Sequence, residues 1–120
     1  NLTSKKIAEI KYNILSDIGI SDDLKNEFIS KLQNYIYIDE IPDIKIGGFI
    51  RWISLNNPDR IILTIGGNIC DINITEKGTS IVVKNFFGNC MQVSLDKALI
   101  FRKLNDDELI LLSAMNYLQT

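Results

Sequence analysis

The amino-acid sequence predicts an α+β fold: a small, strongly bent antiparallel β-barrel of about five strands, SH3-like or Sm-like, with two N-terminal helices and one C-terminal helix. Three observations predict it. Apolar residues recur every three or four positions at both ends of the chain, in residues 1–36 and 105–120. Between 43 and 104 they alternate, in short runs separated by Gly, Asn, Asp and Pro. Two Gly-Gly pairs, at 47–48 and 66–67, lie within the apolar stretch IGGFIRWISLNNPDRIILTIGGNICDI. At 120 residues with 46% hydrophobic content, a single domain over 1–120 is expected.

The first helix is read from Ile7, Ile10, Ile14 and Ile18, with Leu15 beside them, capped by Thr3 or Ser4 and ended by Gly19. Ser21 caps a second helix, whose first turn carries Asp22 and Asp23 and whose apolar face is Leu24, Phe28 and Leu32. IYIDEIPDIKI then reads as an irregular connector, because Pro42 has no N–H to give a ladder. FIRWISL alternates with large apolar groups on both faces, which suits a strand covered on both sides.

After the turn NNPD a strand is expected from Arg60. Its apolar positions are odd at Ile61, Leu63 and Ile65 but even at Cys70, Ile72 and Ile74. Such a change of phase at Gly66-Gly67 means a hairpin turn or a bend in one long strand, and a closed sheet turning its corners favours the bend. TEKG, Gly88-Asn89 and Asp96-Lys97 mark hairpin turns into SIVVKNFF, CMQVSL and ALIFRK. Asn105 and Glu108 have capping-box spacing ahead of a very apolar helix containing Leu109, Ile110, Leu111, Leu112 and Met115, which must be buried against the barrel or a partner.

Several chemistries are argued against. There is no histidine, which excludes Ser-His-Asp and Cys-His catalysis, and no nucleophile motif stands out. Neither glycine pair opens a helix carrying Lys and Ser or Thr, so phosphate-loop and dinucleotide readings give way to structural glycines at Gly47, Gly48, Gly66 and Gly67. Asp22, Asp23, Asp39, Glu40 and Asp43 match no calcium loop and read as a helix start and a solvated connector. Cys70 and Cys90 are too few for a zinc site and read as buried free thiols, with a bridge between neighbouring strands as the alternative. No catalytic residue, metal or cofactor is assigned.

The net charge of −2 gives no overall basic footprint. A local one remains: Arg51 and Trp52, with Phe49, Lys84, Phe86 and Phe87, and with Arg60 nearby, are the candidate nucleic-acid-binding residues, a basic and aromatic face able to stack bases. No apolar run reaches the ~18 residues of a membrane span, and the N-terminus lacks the pattern of a secretory signal, so an intracellular location without membrane insertion is expected. The abundance of Ile (22) and Asn (12) over Ala (3) is the imprint of an AT-rich genome.

GGFIRWISL, RIILTIGGNICDI, SIVVKNFF and ALIFRKL together make a pattern, over about residues 46–104, similar to one in small uncharacterised proteins of large double-stranded DNA viruses. That resemblance implies a viral setting, host cytoplasm or virion, and names no functional residue. The expected function is a non-enzymatic protein-protein interaction or assembly module, through a protein partner or self-association. Nucleic-acid binding through Arg51, Trp52, Arg60 and Lys84 is the alternative.

Overall fold

The computed structural model describes residues 3–119. The chain divides into two compact units, one drawn from both ends, up to Tyr37 and from Leu104 onward, the other Ile38–Lys103. Three helices, α1 (Ser4–Ser16), α2 (Asp22–Lys31) and α3 (Asp106–Gln119), accompany six strands. These are β1 (Tyr35–Ile38), β2 (Phe49–Ser54), β3 (Gly67–Thr75), β4 (Gly78–Lys84), β5 (Cys90–Ser94) and β6 (Ala98–Lys103).

The strands form one antiparallel sheet in the order β1-β6-β2-β3-β4-β5. It is open, where a closed barrel was expected: β1 and β5 are its two edges. The reason lies in the return from β5. The expected hairpin at Asp96-Lys97 is instead a 3-10 turn, Leu95–Lys97, which packs against β4 and delivers β6 to β2, not to β5. β6 has four consecutive buried residues, Ala98 to Phe101, and a strand that is apolar on both faces gains most from a place inside the sheet. The connector expected around residues 35–38 is a strand as well, since YIYI has the aromatic and β-branched residues that suit a pleated surface.

In the unit Ile38–Lys103, one sheet face carries the core: Ile50 and Trp52 of β2, Ile69 of β3, Ile81 and Val83 of β4, Val93 of β5 and Ile100 of β6, joined by Ile38 and Ile44. Two bulges shape this face. Ile50 is opposite Gly67 and Ile53 is opposite Leu63, so two residues of β2 face the three residues 64–66. The extra residue brings a left-handed Gly66, φ 90°. Residues 60–66 are therefore not the regular strand expected from Arg60, but an irregular run along β2, tied by Thr64 N–H to the Trp52 carbonyl (3.0 Å). A second slip falls between Ile69 and Asp71, at Cys70. Each bulge reverses which residues point inward.

Cβ geometry explains the second glycine pair. A methyl group on Gly66 would collide with the Ile50 carbonyl oxygen, and one on Gly67 would lie 2.5 Å from the Lys84 carbonyl oxygen. Gly47 and Gly48 belong instead to the turn entering β2, where Gly47 N–H bonds Ile69 O (2.8 Å) and Ile69 N–H bonds Gly48 O (2.9 Å).

In the helical unit, Thr3 caps α1 and Ser21 caps α2 through their hydroxyl oxygens (3.1 and 3.2 Å). The buried line of α1 is Ile7, Lys11 and Leu15, with Ile10, Ile14 and Ile18 only half-buried. A lysine thus holds a core position. Its ammonium donates to the Leu32 carbonyl (2.8 Å) and to that of Gln33 (3.4 Å), at the negative end of α2. Lys25 donates to Tyr12 Oη and Ser16 Oγ (both 3.3 Å), lies 4.4 Å from the Tyr12 ring centre, and pairs with Asp22 (3.4 Å).

These two lysines have opposite pH linkage. Burial pushes the Lys11 pKa below its usual 10.5. The Tyr12 hydrogen bond, with a smaller contribution from Asp22, raises that of Lys25 against desolvation. Between the lowered pKa of Lys11 and 10.5 the unfolded chain binds more protons than the folded one at this site, so its contribution to stability rises with pH there. Lys25 contributes stability that is complete below 10.5 and lost as pH rises through its raised pKa. Lys11→Met keeps the apolar stem and loses the charged hydrogen bond, while Leu32 O keeps the N–H of Tyr35. A loss of about 1 kcal/mol near neutrality is expected. In urea titrations the gap between wild type and variant should widen as pH rises towards 10.5, and a constant gap would contradict a desolvated ammonium.

Candidate functional site

The outward face of the β2–β4 region carries part of the expected basic and aromatic set. Phe49 is opposite Asn68, and Asn68 is opposite Lys84, so these share one face, with Arg51 two residues along β2 from Phe49. Strand spacing puts Phe49 about 10 Å from Lys84 across the sheet, and Arg51, two residues further along, about 12 Å from it. Arg51 is half-buried, its Nε donating to Thr64 O (2.8 Å) and its stem crossing Gly66. Trp52 is on the opposite face, 6% exposed, and Arg60 is in the exposed loop after β2. Period-two alternation in FIRWISL already separates Arg51 from Trp52.

At the β4–β5 hairpin the side chains are fully presented. Phe86 is 92% exposed and meets Phe87 edge to face at 5.7 Å between ring centres. The Asn85 side-chain oxygen accepts from the N–H groups of both Phe87 and Asn89 (3.0 Å each), which fixes the tip.

The expected burial of the thiols is not found: Cys70 and Cys90 are free and exposed. Cys70 is the residue displaced by the second bulge, and Cys90 opens the edge strand β5. Among the described residues, no group of three or more His, Cys, Asp or Glu side chains is placed to hold a metal ion. Asp22 and Asp23 fill the first turn of α2, and Asp39, Glu40 and Asp43 surround a 3-10 turn at Ile41–Asp43. No helix among the described residues is long and apolar enough to cross a membrane.

A polar cleft of about 500 Å³ lies in the sheet unit, with Trp52, Lys77, Ser80, Gln92, Ser94 and Lys97 among its walls. Gln92 donates to Ser80 Oγ (2.9 Å). Beside it, the hydroxyl of Ser94 donates to Asp96 and, with a main-chain bond and the charge of Lys97, holds that carboxyl below the usual carboxylate range.

The most unusual surface is on α3. Its start is built as expected: Asn105 Oδ1 accepts from Glu108 N–H (2.8 Å), and Glu108 Oε1 from Asn105 N–H (3.0 Å). Yet this apolar helix has no fully buried described side chain. Leu109, Leu112 and Met115 are half-buried, and Leu112 lines grooves with Ile7 and Leu104. Ile110 (68%), Leu111 (61%), Tyr117 (80%) and Leu118 (82%) are largely exposed, with Ala114 among them. At about 100° per residue these five fall within an arc of about 120°. The helix therefore has two apolar faces, and the spacing i, i+1, i+4, i+7, i+8 was the available signal for the second. No family model, no curated protein and no solved structure matches this chain.

Proposed function

We propose that the chain is a non-enzymatic interaction and assembly module that self-associates through the second apolar face of α3. The observation carrying this reading is the contiguous exposure of Ile110, Leu111, Tyr117 and Leu118, since an apolar stripe of this width is normally covered. The occupant is a second copy. Its antiparallel pairing aligns opposed helix dipoles and keeps apart the first-turn acids Asp106, Asp107 and Glu108. Over the helix length the two acidic turns are about 20 Å apart, beyond the screening length of physiological salt.

Burying a large apolar side chain contributes roughly 1.5–3 kcal/mol, and four from each copy give on the order of 10–20 kcal/mol before an association cost of ~4–15 kcal/mol. A dimer of about micromolar affinity is the expected result. Light scattering across a concentration series should show wild-type mass doubling. Leu111→Lys and Leu118→Lys should each remain monomeric, with stability changed by less than about 0.5 kcal/mol when compared at concentrations well below the dimer Kd, because both positions are exposed in the monomer. A wild type monomeric throughout, or variants that associate equally well, would overturn the proposal.

The connectivity is SH3-like or Sm-like in a sheet left open at β1 and β5, and a viral assembly is its proposed setting. What supports that connectivity is the meander from β2 to β5, bent by two bulges, and the 3-10 turn that carries the chain back to β6 beside β2. A second reading, nucleic-acid binding, is favoured by one observation: Phe86 and Phe87 are presented beside Lys84 at the end of the face that carries Phe49 and Arg51. Its signature is an affinity for single-stranded oligonucleotide that falls steeply with salt.

A further inference from the structure

The edge strand β5 has no strand on its far side among the described residues. Its register with β4 is continuous over five pairs, Ser80–Ser94 to Lys84–Cys90. The bond from Asn85 N–H to Asn89 O (2.9 Å) sets the alternation of the ladder. Counting from it, Val83–Met91 and Ile81–Val93 are the hydrogen-bonded pairs, and the main-chain groups of Cys90 and Gln92 point away from β4. Natural edges are usually blunted by charge, proline or a bulge. CMQVS has none of these.

The surroundings of this edge also carry chemistry. On the core side β5 presents Met91, 37% exposed, and Val93, and its last three residues, Gln92 to Ser94, line the polar cleft. Lys84 stands opposite Cys90 at one end of the strand, and Lys97 follows three residues beyond Ser94 at the other. Asp96, the carboxylate nearest Lys97 in the chain, is already bonded by Ser94. Two copies paired antiparallel through β5 would bring Lys84 of one towards Lys97 of the other, a like-charge arrangement. An acidic segment meets both lysines favourably.

We propose that β5 receives an extended segment of another protein as an added strand, apolar at the alternate positions that face Met91 and Val93 and acidic at its ends. Main-chain hydrogen bonds to Cys90 and Gln92 supply affinity, and the cleft and the two lysines supply selectivity. This deepens the reading of the chain as an interaction module, but uses different residues, in the unit Ile38–Lys103, so the two can fail independently.

The probe is an acetylated, amidated peptide Glu-Val-Thr-Val-Glu, titrated into ¹⁵N-labelled protein. Amide shifts centred on Cys90 and Gln92 are expected, weakened at least about tenfold when the peptide is N-methylated at alternate main-chain nitrogens or its glutamates become lysines. Gln92→Pro removes an outward N–H that the β4 ladder does not use and should cause a similar loss, whereas Leu118→Lys should leave peptide binding unchanged. The N-methylated peptide tests the same bonds without relying on a folded proline variant. Absence of binding at millimolar peptide, or binding that tolerates N-methylation, would overturn the proposal. So would a wild-type dimer that Gln92→Pro abolishes, because the edge would then be occupied by a second copy.

Discussion

Gly66→Ala is expected to destabilise the protein by about 2–5 kcal/mol, and Gly66→Val by more. Two costs combine at this position. At φ 90° any residue with a Cβ loses roughly 1–2 kcal/mol relative to glycine. The added methyl also meets the Ile50 carbonyl oxygen and lies 2.9 Å from Arg51 Cγ. Overpacking of this kind costs typically 1–3 kcal/mol, and a main-chain carbonyl cannot rotate aside as a side chain can. Gly47 supplies the control, since it has the same φ of 90° and a methyl added there would meet nothing within 4 Å. Gly47→Ala should therefore cost only the conformational part, about 1–2 kcal/mol. Urea unfolding of the two variants separates the contributions. If Gly66→Ala cost no more than Gly47→Ala, close approach of β2 would not be what requires a glycine there.

The same segment shows how far sequence reasoning reaches. A change in apolar phase between Leu63 and Ile72 is visible in the chain and suggests one long strand bent at the glycines, whereas the structure has an irregular run over residues 60–66 and a strand that begins at Gly67. What it hides is that the phase turns over twice. Gly66 reverses it once and Cys70 again, so Ile69 faces the core and Cys70 does not. The two reversals cancel, so period-two counting registers neither bulge: Leu63 at an odd position and Ile72 at an even one simply lie on opposite faces, Leu63 beside Ile53 and Ile72 against the core.

Lys11 illustrates a different limit. It lies four residues after Ile7 and four before Leu15, a core position by spacing, but a charged residue is set aside until its partners are known. Those partners, the carbonyls of Leu32 and Gln33, are more than twenty residues away. Openness of the sheet was hidden for a similar reason: whether β5 meets another strand depends on where the 3-10 turn sends β6, and nothing local to Asp96-Lys97 distinguishes that turn from a hairpin. The two faces of α3, by contrast, were legible as an excess of apolar residues, though not which face stays open.

Trp52→Ala is expected to cost about 3–5 kcal/mol, the usual range for removing a large aromatic side chain from a core. Trp52 shares that core with Ile50, Ile69, Ile81 and Ile100, and its neighbours are held by the sheet ladder, so the vacated space cannot close fully. Trp52→Phe keeps an aromatic body at lower volume and should lose about 1–2 kcal/mol. The position also decides between two roles for this residue. A tryptophan that stacks on a base must offer a face to solvent, and at 6% exposure this one does not. As the chain's single tryptophan, it reports on itself: native fluorescence should be blue-shifted and resistant to acrylamide, and both properties should vanish together with the sheet in one urea transition. Oligonucleotide should leave the native emission unchanged. A native spectrum quenched freely by acrylamide, or a Trp52→Ala variant as stable as wild type with a selective loss of oligonucleotide binding, would move Trp52 from the core to a recognition surface.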